Sequence, residues 1–143
     1  EISKITEWAL DPVVMIEQFP NTVVDVHINI IQANASTRCA GINAAAMALA
    51  HAGIPMKDMV SSVSIGKLDK NLVVDVSKAE EDWEEVEGAT DIPMSFTHNG
   101  ELTHIQLDGK IKREQLKEAI EMARKSTQKV YELQKKALKE TVE

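Results

Sequence analysis

The chain has 143 residues, of which 43% are hydrophobic and 27% are charged, so it is long and apolar enough to bury a core. Its formal net charge of −7 argues against a protein that binds nucleic acid through its overall electrostatic field, and any such contact would need a local basic site, a missing segment or a partner chain. The lone cysteine, Cys39, excludes an internal disulfide and is typical of a reducing, intracellular setting.

The first part of the chain predicts a helix, a strand and a second helix. Residues 1–10 place apolar side chains on one face of a short helix, and residues 22–33 alternate apolar and polar side chains as a long strand does. An alanine-rich helix is expected over 37–52, because capping side chains precede it and Gly53 stops it. Its many alanines let a neighbouring backbone approach closely, so we expect this helix to be buried against a sheet.

The rest of the chain predicts a small sheet and a long helix. The strand-like runs are 59–66, 72–76, 92–97 and 102–107. The last two flank Asn99-Gly100, the strongest short signal for a β-hairpin. From about Ile111 the chain is helical nearly to its end, with apolar side chains on one face. This order of elements predicts a mixed α/β (α+β) domain with an antiparallel component and with helices packed on the sheet.

The turn between the predicted strand and the alanine-rich helix is the first candidate site. Ser36, Thr37 and Arg38 stand at the start of that helix, where unpaired backbone N–H groups and the helix dipole favour an anion. The guanidinium of Arg38 would add a forked donor that suits phosphate. Taken alone, such a turn more often only caps a helix, and the arginine is then a surface charge. These residues by themselves leave both interpretations open.

An acidic stretch after the predicted strand 72–76 is the second candidate site. Asp82 and Asp91 lie beyond that strand, where carboxylates can hold Mg²⁺ or act in proton transfer. A run of acidic side chains is otherwise a solvated loop, and this alternative also stays open. A phosphate cradle beside an acidic loop would indicate phosphoryl chemistry, provided that the two segments meet in the folded chain.

The segment 31–55 has the sequence IQANASTRCAGINAAAMALAHAGIP. It resembles the signature of the RNase PH family, in which a Leu-Gln-Ala-Asp strand end runs into Gly-Thr-Arg or Gly-Ser-Arg and an alanine-rich helix. Further motifs fall in the family's order, namely FPNTVVDVHINI, VVDVSKAEED, TDIP, ELTHIQLDGKI and VYELQKKALKE. The combination is similar to the catalytic RNase PH-like subunits of archaeal exosomes rather than to bacterial RNase PH. The resemblance implies an RNase PH-like mixed sheet with helices packed on it.

The resemblance also implies an activity, that of a phosphate-dependent 3′→5′ exoribonuclease. In the family, the residues matching Ser36, Thr37 and Arg38 hold inorganic phosphate. The phosphate attacks the last phosphodiester of a single-stranded RNA 3′ end and releases a nucleoside diphosphate. The carboxylate matching Asp82 is the essential acid or metal ligand, and the one matching Asp91 supports Mg²⁺ or Mn²⁺. The implied partner is a homologous RNase PH-like subunit in a hexameric ring.

Three features depart from the family pattern. Asn34 stands where the family usually has Asp, and Ser36 stands where it has Gly, although glycine allows a positive φ and a close approach of the backbone to phosphate. The acidic loop between Asp82 and Asp91 is longer by about three residues, which makes Glu85 a rival for the role of Asp82. Such changes leave a second interpretation open, namely a non-catalytic structural or RNA-binding subunit of the same type of ring.

The family domain is longer than this chain, so we expect residues 1–143 to be a single domain that forms the C-terminal half of an RNase PH-like domain. The N-terminal half would cover the apolar faces of the core strands and supply arginines that grip RNA. We therefore expect this segment to be inactive by itself. The chain has no apolar run long enough to cross a bilayer and no charged-then-apolar leader, which predicts a cytoplasmic protein without membrane contact.

Overall fold

The computed structural model of the chain describes residues 1–83 and 88–142. The α-helices and β-strands in these ranges are α1 (Ile2–Leu10), α2 (Thr37–His51), β1 (Val60–Leu68), β2 (Asn71–Val74), α3 (Lys78–Glu81), β3 (Ala89–Thr97), β4 (Leu102–Ile105) and α4 (Arg113–Val142), and Ile16–Gln18 form a short 3-10 helix. The helices predicted over 1–10, over 37–52 and near the C-terminal end are confirmed. The short helix α3 has no counterpart in the prediction.

The strands β1 to β4 form an antiparallel sheet in the order β2-β1-β3-β4. β1 and β3 pair along their whole lengths in its centre, from Val60 opposite Thr97 to Leu68 opposite Ala89. The hairpin between β3 and β4 turns at Asn99-Gly100, as predicted, with Gly100 at a φ of 88°. The predicted fold class, a mixed α/β arrangement with helices on an antiparallel sheet, is confirmed.

The two faces of the sheet differ in chemistry. The face toward α4 is apolar, and its buried cluster is formed by Val63, Ile65, Ile92, Met94, Phe96, Ala119 and Ala123. The face toward α2 carries small polar side chains instead, among them Ser62, Ser64 and Ser95, because strand side chains alternate between the faces. Asn43 fixes α2 on this polar face, donating from Nδ2 to Ser62 O over 2.9 Å and accepting from Ser62 N over 2.6 Å.

The alanine-rich helix α2 packs between α1 and the sheet. The buried cluster on this side is formed by Ile5, Ala9, Leu10, Val13, Ile42, Ala45, Ala46, Leu49 and Val60. The expectation that this helix is buried against the sheet is therefore confirmed. Within the ranges described, no helix combines the length and the apolar character needed to cross a membrane.

The strand predicted over 22–33 is wrong for this structure. Residues 22–30 belong to no helix or strand, and Val23 and Ile31 are 81% and 99% exposed. One apolar side chain of this segment, Ile28, packs against the buried cluster that α2 forms with α1. A strand exists only where a neighbouring strand completes its ladder of hydrogen bonds, and the part of the chain described here supplies none for this segment. Five apolar side chains of this part of the chain are exposed, namely Val23, Val24, Val26, Ile30 and Ile31.

Candidate functional site

The turn before α2 forms one side of the candidate site. Ala35 and Ser36 both adopt the left-handed backbone conformation, with φ of 60° and 50°, and Ser36 is the N-cap residue of α2. Serine takes here the conformation for which the family pattern has glycine, at a cost of roughly 1–3 kcal/mol. The Ser36 hydroxyl does not cap the helix, so it leaves the first N–H groups of α2, beginning at Thr37, to another acceptor.

The turn before α2 contacts the chain that leads from β2 into α3. The Ser36 hydroxyl donates a hydrogen bond to the carbonyl oxygen of Val76 over 3.1 Å. The backbone N–H of Lys78 donates to Oδ1 of Asn34 over 3.0 Å. Both bonds join the turn before α2 to the chain that enters α3. These bonds bring the turn before α2 next to the start of α3, which carries Glu80 and Glu81.

Arg38 lies between this turn and β4. Its side chain is 30% exposed, its Nη1 donates to Oε1 of Gln106, and the same nitrogen lies 3.8 Å from Oε1 of Glu1. Burial, and after it the positive charge of Arg38, lowers the pKa of His104. Nδ1 of that histidine is buried and has no hydrogen-bond partner among the residues described. Arg38 is thus a partly buried cation that polar side chains hold over the edge of the sheet.

Asp91 lies on β3 opposite Gly66, on the polar face of the sheet. Its Oδ1 accepts a hydrogen bond from the hydroxyl of Ser64, and its backbone exchanges two hydrogen bonds of 2.9 Å with Asp108. Burial raises the pKa of Asp91, and the Ser64 bond and the charge of Arg38 oppose that rise. Asp91 is therefore a half-buried carboxylate that is fixed through both its side chain and its backbone.

A small pocket of about 140 Å³ lies beside Asp91, and Glu81 and Asp108 also line it. The sequence analysis did not identify these two acids. The pairing of residues on either side of the predicted Asn99-Gly100 turn would nevertheless have placed Asp108 opposite Asp91. Carboxylate oxygens are the donors that Mg²⁺ and Mn²⁺ prefer, so the chemistry of the side chains fits such an ion. Among the residues described, no three or more His, Cys, Asp or Glu side chains are arranged to hold a metal ion.

The short helix α3 brings Glu81 to this pocket. The N–H and the hydroxyl of Ser77 donate to Oε2 of Glu80 over 2.8 and 2.7 Å, which fixes the start of the helix and lowers the pKa of Glu80. After the helix, Nε1 of Trp83 donates to Oδ2 of Asp69 over 3.3 Å. These local bonds fix the chain on both sides of α3, while the side chains of Glu81 and Asp82 stay exposed.

Asp82 follows α3 and lies at the surface. Its side chain is 61% exposed, and its Oδ1 forms an ion pair with Nζ of Lys78 at 2.8 Å. It does not line the pocket beside Asp91, whereas Glu81 does. The rival carboxylate, Glu85, lies outside the residues that the structure describes. The assignments of Ser36, Thr37 and Arg38 to phosphate, and of Asp82 and Asp91 to catalysis and metal binding, remain predictions.

Cys39 lies in the first turn of α2, and it is buried. Burial raises the pKa of its thiol to about 11, and a hydrogen bond with Ser62 only partly opposes this. A nucleophilic cysteine needs a lowered pKa, because the thiolate is the reactive form. Cys39 is therefore a small core residue and not a nucleophile.

Fold and site together define an α/β protein in which an arginine at the start of a helix and several carboxylates gather over one polar sheet face. The 3′ exoribonuclease family matches the chain in two parts, its domain 1 over residues 1–55 and its domain 2 over residues 58–126. The chain therefore belongs to the 3′ exoribonuclease (RNase PH) family.

Curated relatives with the name exosome complex component Rrp41 align with nearly all of the chain. The protein of Methanosarcina mazei is 40% identical over 143 residues, which are 100% of this chain and 28% of the relative. Those of Thermococcus gammatolerans and Nitrosopumilus maritimus are 43% and 45% identical over 98% and 96% of this chain and 55% of each relative. The chain thus spans about half, or less, of the length of these curated relatives.

The crystal structure of Rrp46 from rice, Oryza sativa, shares the fold. It superposes with a TM-score of 0.85 at 21% sequence identity, over 96% of this chain and 63% of the rice protein. At that identity the similarity concerns the fold alone. It agrees with the RNase PH-like sheet and helices that the sequence predicted.

Proposed function

We propose that the chain is the C-terminal half of a subunit of an exosome-like ring, and that this subunit is a phosphorolytic 3′→5′ exoribonuclease. Inorganic phosphate is the second substrate. The observation that carries the proposal is the contact of the turn before α2 with the segment that enters α3, through the Ser36–Val76 and Asn34–Lys78 hydrogen bonds. This contact supports the proposal, because it joins the turn that would hold phosphate to the chain that leads into α3 and its acidic side chains.

In the proposed reaction, Ser36, Thr37 and Arg38 hold the attacking phosphate. The guanidinium of Arg38 supplies a charged, forked donor, and the start of α2 supplies backbone N–H groups. Because the Ser36 hydroxyl already donates to Val76, Ser36 would contribute through its backbone. This part of the site positions the phosphate and neutralises its charge, which are the main contributions that proteins make to phosphoryl transfer.

The attack forms a bond between a phosphate oxygen and the terminal phosphorus of the RNA and breaks the bond from that phosphorus to the 3′ oxygen of the penultimate nucleotide. The 3′ oxygen takes up a proton, and a nucleoside 5′-diphosphate leaves. Asp82 is the proposed acid or metal ligand, and Asp91 is the proposed second ligand. A Mg²⁺ or Mn²⁺ ion held there would neutralise charge on the reacting phosphates. Ser64 keeps the Asp91 carboxylate in place.

The proposed partners are a single-stranded RNA 3′ end, the N-terminal half of the same domain and homologous subunits of a hexameric ring. The uncovered segment 22–31 supports the second of these. Val24 and Val26, together with residues of α1, line a cleft of about 560 Å³, and exposed apolar side chains in such a cleft are typical of an interaction site. The net charge of −7 supports an RNA contact shared with other chains. A cytoplasmic location is part of the same proposal.

The test is the release of nucleoside diphosphate from a single-stranded RNA with Mg²⁺, with and without inorganic phosphate, by the protein as purified with its accompanying chains. Asp82→Asn should abolish the phosphate-dependent release. Glu140→Gln is the matched control, because Glu140 is also exposed and also pairs with a lysine four positions earlier, Lys136. Retained activity in Asp82→Asn would show that Asp82 is not the essential carboxylate, and Glu81 and Glu85 would be the next candidates for that role.

The alternative is a non-catalytic ring subunit, and the exposed ion pair of Asp82 with Lys78 is the observation that favours it. Binding of phosphate or tungstate separates the two functions. A catalytic subunit should bind the anion and lose it with Arg38→Ala, whereas a structural subunit does not need it. Absence of both release and anion binding, in a folded preparation that contains the N-terminal half, would establish the alternative.

A further inference from the structure

Gln106, the residue that follows β4, contacts the proposed phosphate-binding arginine. Its side-chain Oε1 accepts the hydrogen bond from Nη1 of Arg38, 68 positions earlier in the chain. Its Nε2 donates to Oε1 of Glu1 over 3.2 Å. Both ends of the amide are therefore occupied, and the acceptor end is turned toward the guanidinium.

The backbone of Gln106 is fixed as firmly as its side chain. Its N–H donates to the carbonyl oxygen of Pro93 over 3.0 Å, and Asp108 exchanges two backbone hydrogen bonds with Asp91. The short piece of chain 106–108 thus holds the Arg38 guanidinium through a side chain and the Asp91 carboxylate through the backbone. The distance between the cation and the carboxylate of the candidate site depends on this piece.

The chemistry of the amide suits this position. An arginine that is 30% exposed has several rotatable bonds and needs an acceptor to hold one orientation. A carboxylate in direct contact would fix the guanidinium but would also compete with a phosphate for its charge. A neutral amide oxygen orients the guanidinium and adds no negative charge that would compete with an anion. The nearest carboxylate atom that the structure pairs with Arg38, Oε1 of Glu1, is farther away at 3.8 Å.

We propose that Gln106 is a positioning residue that holds Arg38 in the orientation that binds inorganic phosphate. The inference rests on the proposed function and adds a residue to it that no motif of the sequence assigned. Gln106 does not touch the phosphate itself. Its effect therefore passes through Arg38 and concerns the binding of phosphate more than that of RNA.

The first experiment measures the KM for phosphate and the KM for RNA of Gln106→Met in the assembled enzyme. Methionine keeps the size of the side chain and removes its hydrogen bonds. The KM for phosphate should rise about tenfold, as expected for loss of a hydrogen bond to a charged group, while the KM for RNA stays within a factor of about two. Gln128→Met is the matched control, because Gln128 also uses both amide ends, but on His98 instead of Arg38 and Glu1.

A double-mutant cycle separates positioning from general stability. In an Arg38→Lys background, Gln106→Met should change the KM for phosphate by less than about twofold, because the orientation that Gln106 maintains is already lost. The variant Gln106→Glu provides a second test. It should unfold at the same or a higher temperature than the parent protein, since it can pair with Arg38, and yet raise the KM for phosphate, since its charge competes with the anion.

The outcomes distinguish this inference from the function on which it rests. A parent enzyme without phosphate-dependent release of nucleoside diphosphate overturns the proposed function. A parent enzyme with that activity, combined with an unchanged KM for phosphate in Gln106→Met and Gln106→Glu, overturns only the role of Gln106. Equal effects of Gln106→Met in the parent enzyme and in the Arg38→Lys variant would also overturn it.

Discussion

The hydroxyl of Ser64, on β1, donates a hydrogen bond to the carboxylate of Asp91, on β3. The two residues are not direct cross-strand partners, since Ser64 faces Pro93 and Asp91 faces Gly66. They lie diagonally on the polar face, which is close enough for such a bond. Because the bond stabilises the ionised carboxylate, it connects the packing of the central strands to the charge of the candidate site.

Ser64→Ala should lower the free energy of unfolding by about 1–2 kcal/mol near pH 8, because it leaves a half-buried carboxylate without its donor. The bond lowers the pKa of Asp91 in the folded state, so its contribution is present where Asp91 is ionised and is lost as the pH falls through the pKa of that carboxyl. Urea unfolding at pH 8 and at a pH below the pKa of Asp91 should show the smaller loss at the lower pH.

The control for this prediction is Ser62→Ala. Ser62 lies two residues earlier on the same face and is equally buried, but its hydroxyl donates to Met94 O and accepts from the hydroxyl of Ser95. Its loss should destabilise the protein to the same degree at both pH values. If the effect of Ser64→Ala is as independent of pH as that of Ser62→Ala, the bond does not act on the charge of Asp91.

The parts of the structure that the sequence predicted depend on local signals. The β3–β4 hairpin follows from Asn99-Gly100, and α2 follows from its alanines and from the stop at Gly53. The segment 22–33 carries a strand pattern that is just as clear, but pairing is a non-local property, and the pattern cannot tell whether a partner strand is present. The structure places no strand there.

The same distinction applies to the candidate site. The sequence could identify Arg38 and Asp91 as chemically suitable, and the family resemblance could assign roles to them. It could not predict that Gln106 holds Arg38, because that contact spans 68 positions and depends on the register of β3 against the chain after β4. Glu81 was passed over for a related reason, since the turn of α3 decides which of two adjacent acids, Glu81 or Asp82, lines the pocket.

Ala35→Gly should stabilise the protein by about 0.5–1 kcal/mol. Ala35 has a φ of 60°, a conformation that is strained for alanine and open to glycine. The matched change is Ala48→Gly on the exposed side of α2, where glycine should cost about 1 kcal/mol of helix stability. Thermal unfolding of the two variants should shift in opposite directions, and a lower melting temperature for Ala35→Gly would show that the turn is not strained at this residue.

Cys39 should react slowly with thiol reagents while the protein is folded. Its pKa of about 11 means that only about one thiol in a thousand is ionised at pH 8, and its burial also blocks access. A chromogenic disulfide reagent should therefore detect almost no thiol in the native protein and one thiol per chain in strong denaturant, since the sequence has a single cysteine. A fast reaction in the native protein would contradict the buried position of Cys39.

Gly109→Ala should destabilise the protein by about 3 kcal/mol or more, whereas Gly53→Ala should cost only about 1 kcal/mol. Both glycines have a positive φ, 120° and 78°, so both substitutions strain the backbone. They differ in space, because a Cβ at Gly109 would lie 2.9 Å from Cα of Thr90 and 3.0 Å from the carbonyl oxygen of Ala89, while nothing lies within 4 Å at Gly53.

The comparison also tests the candidate site, since Gly109 lines the acidic pocket. The added methyl group at Gly109 must push the chain after β4 away from β3. This shift weakens the two backbone hydrogen bonds between Asp91 and Asp108. Chemical denaturation of both variants measures the stability difference, and hydrogen exchange of the Asp91 and Asp108 amides locates it. Equal losses of stability, with both amides still protected in Gly109→Ala, would mean that this close packing does not hold the two strand segments together.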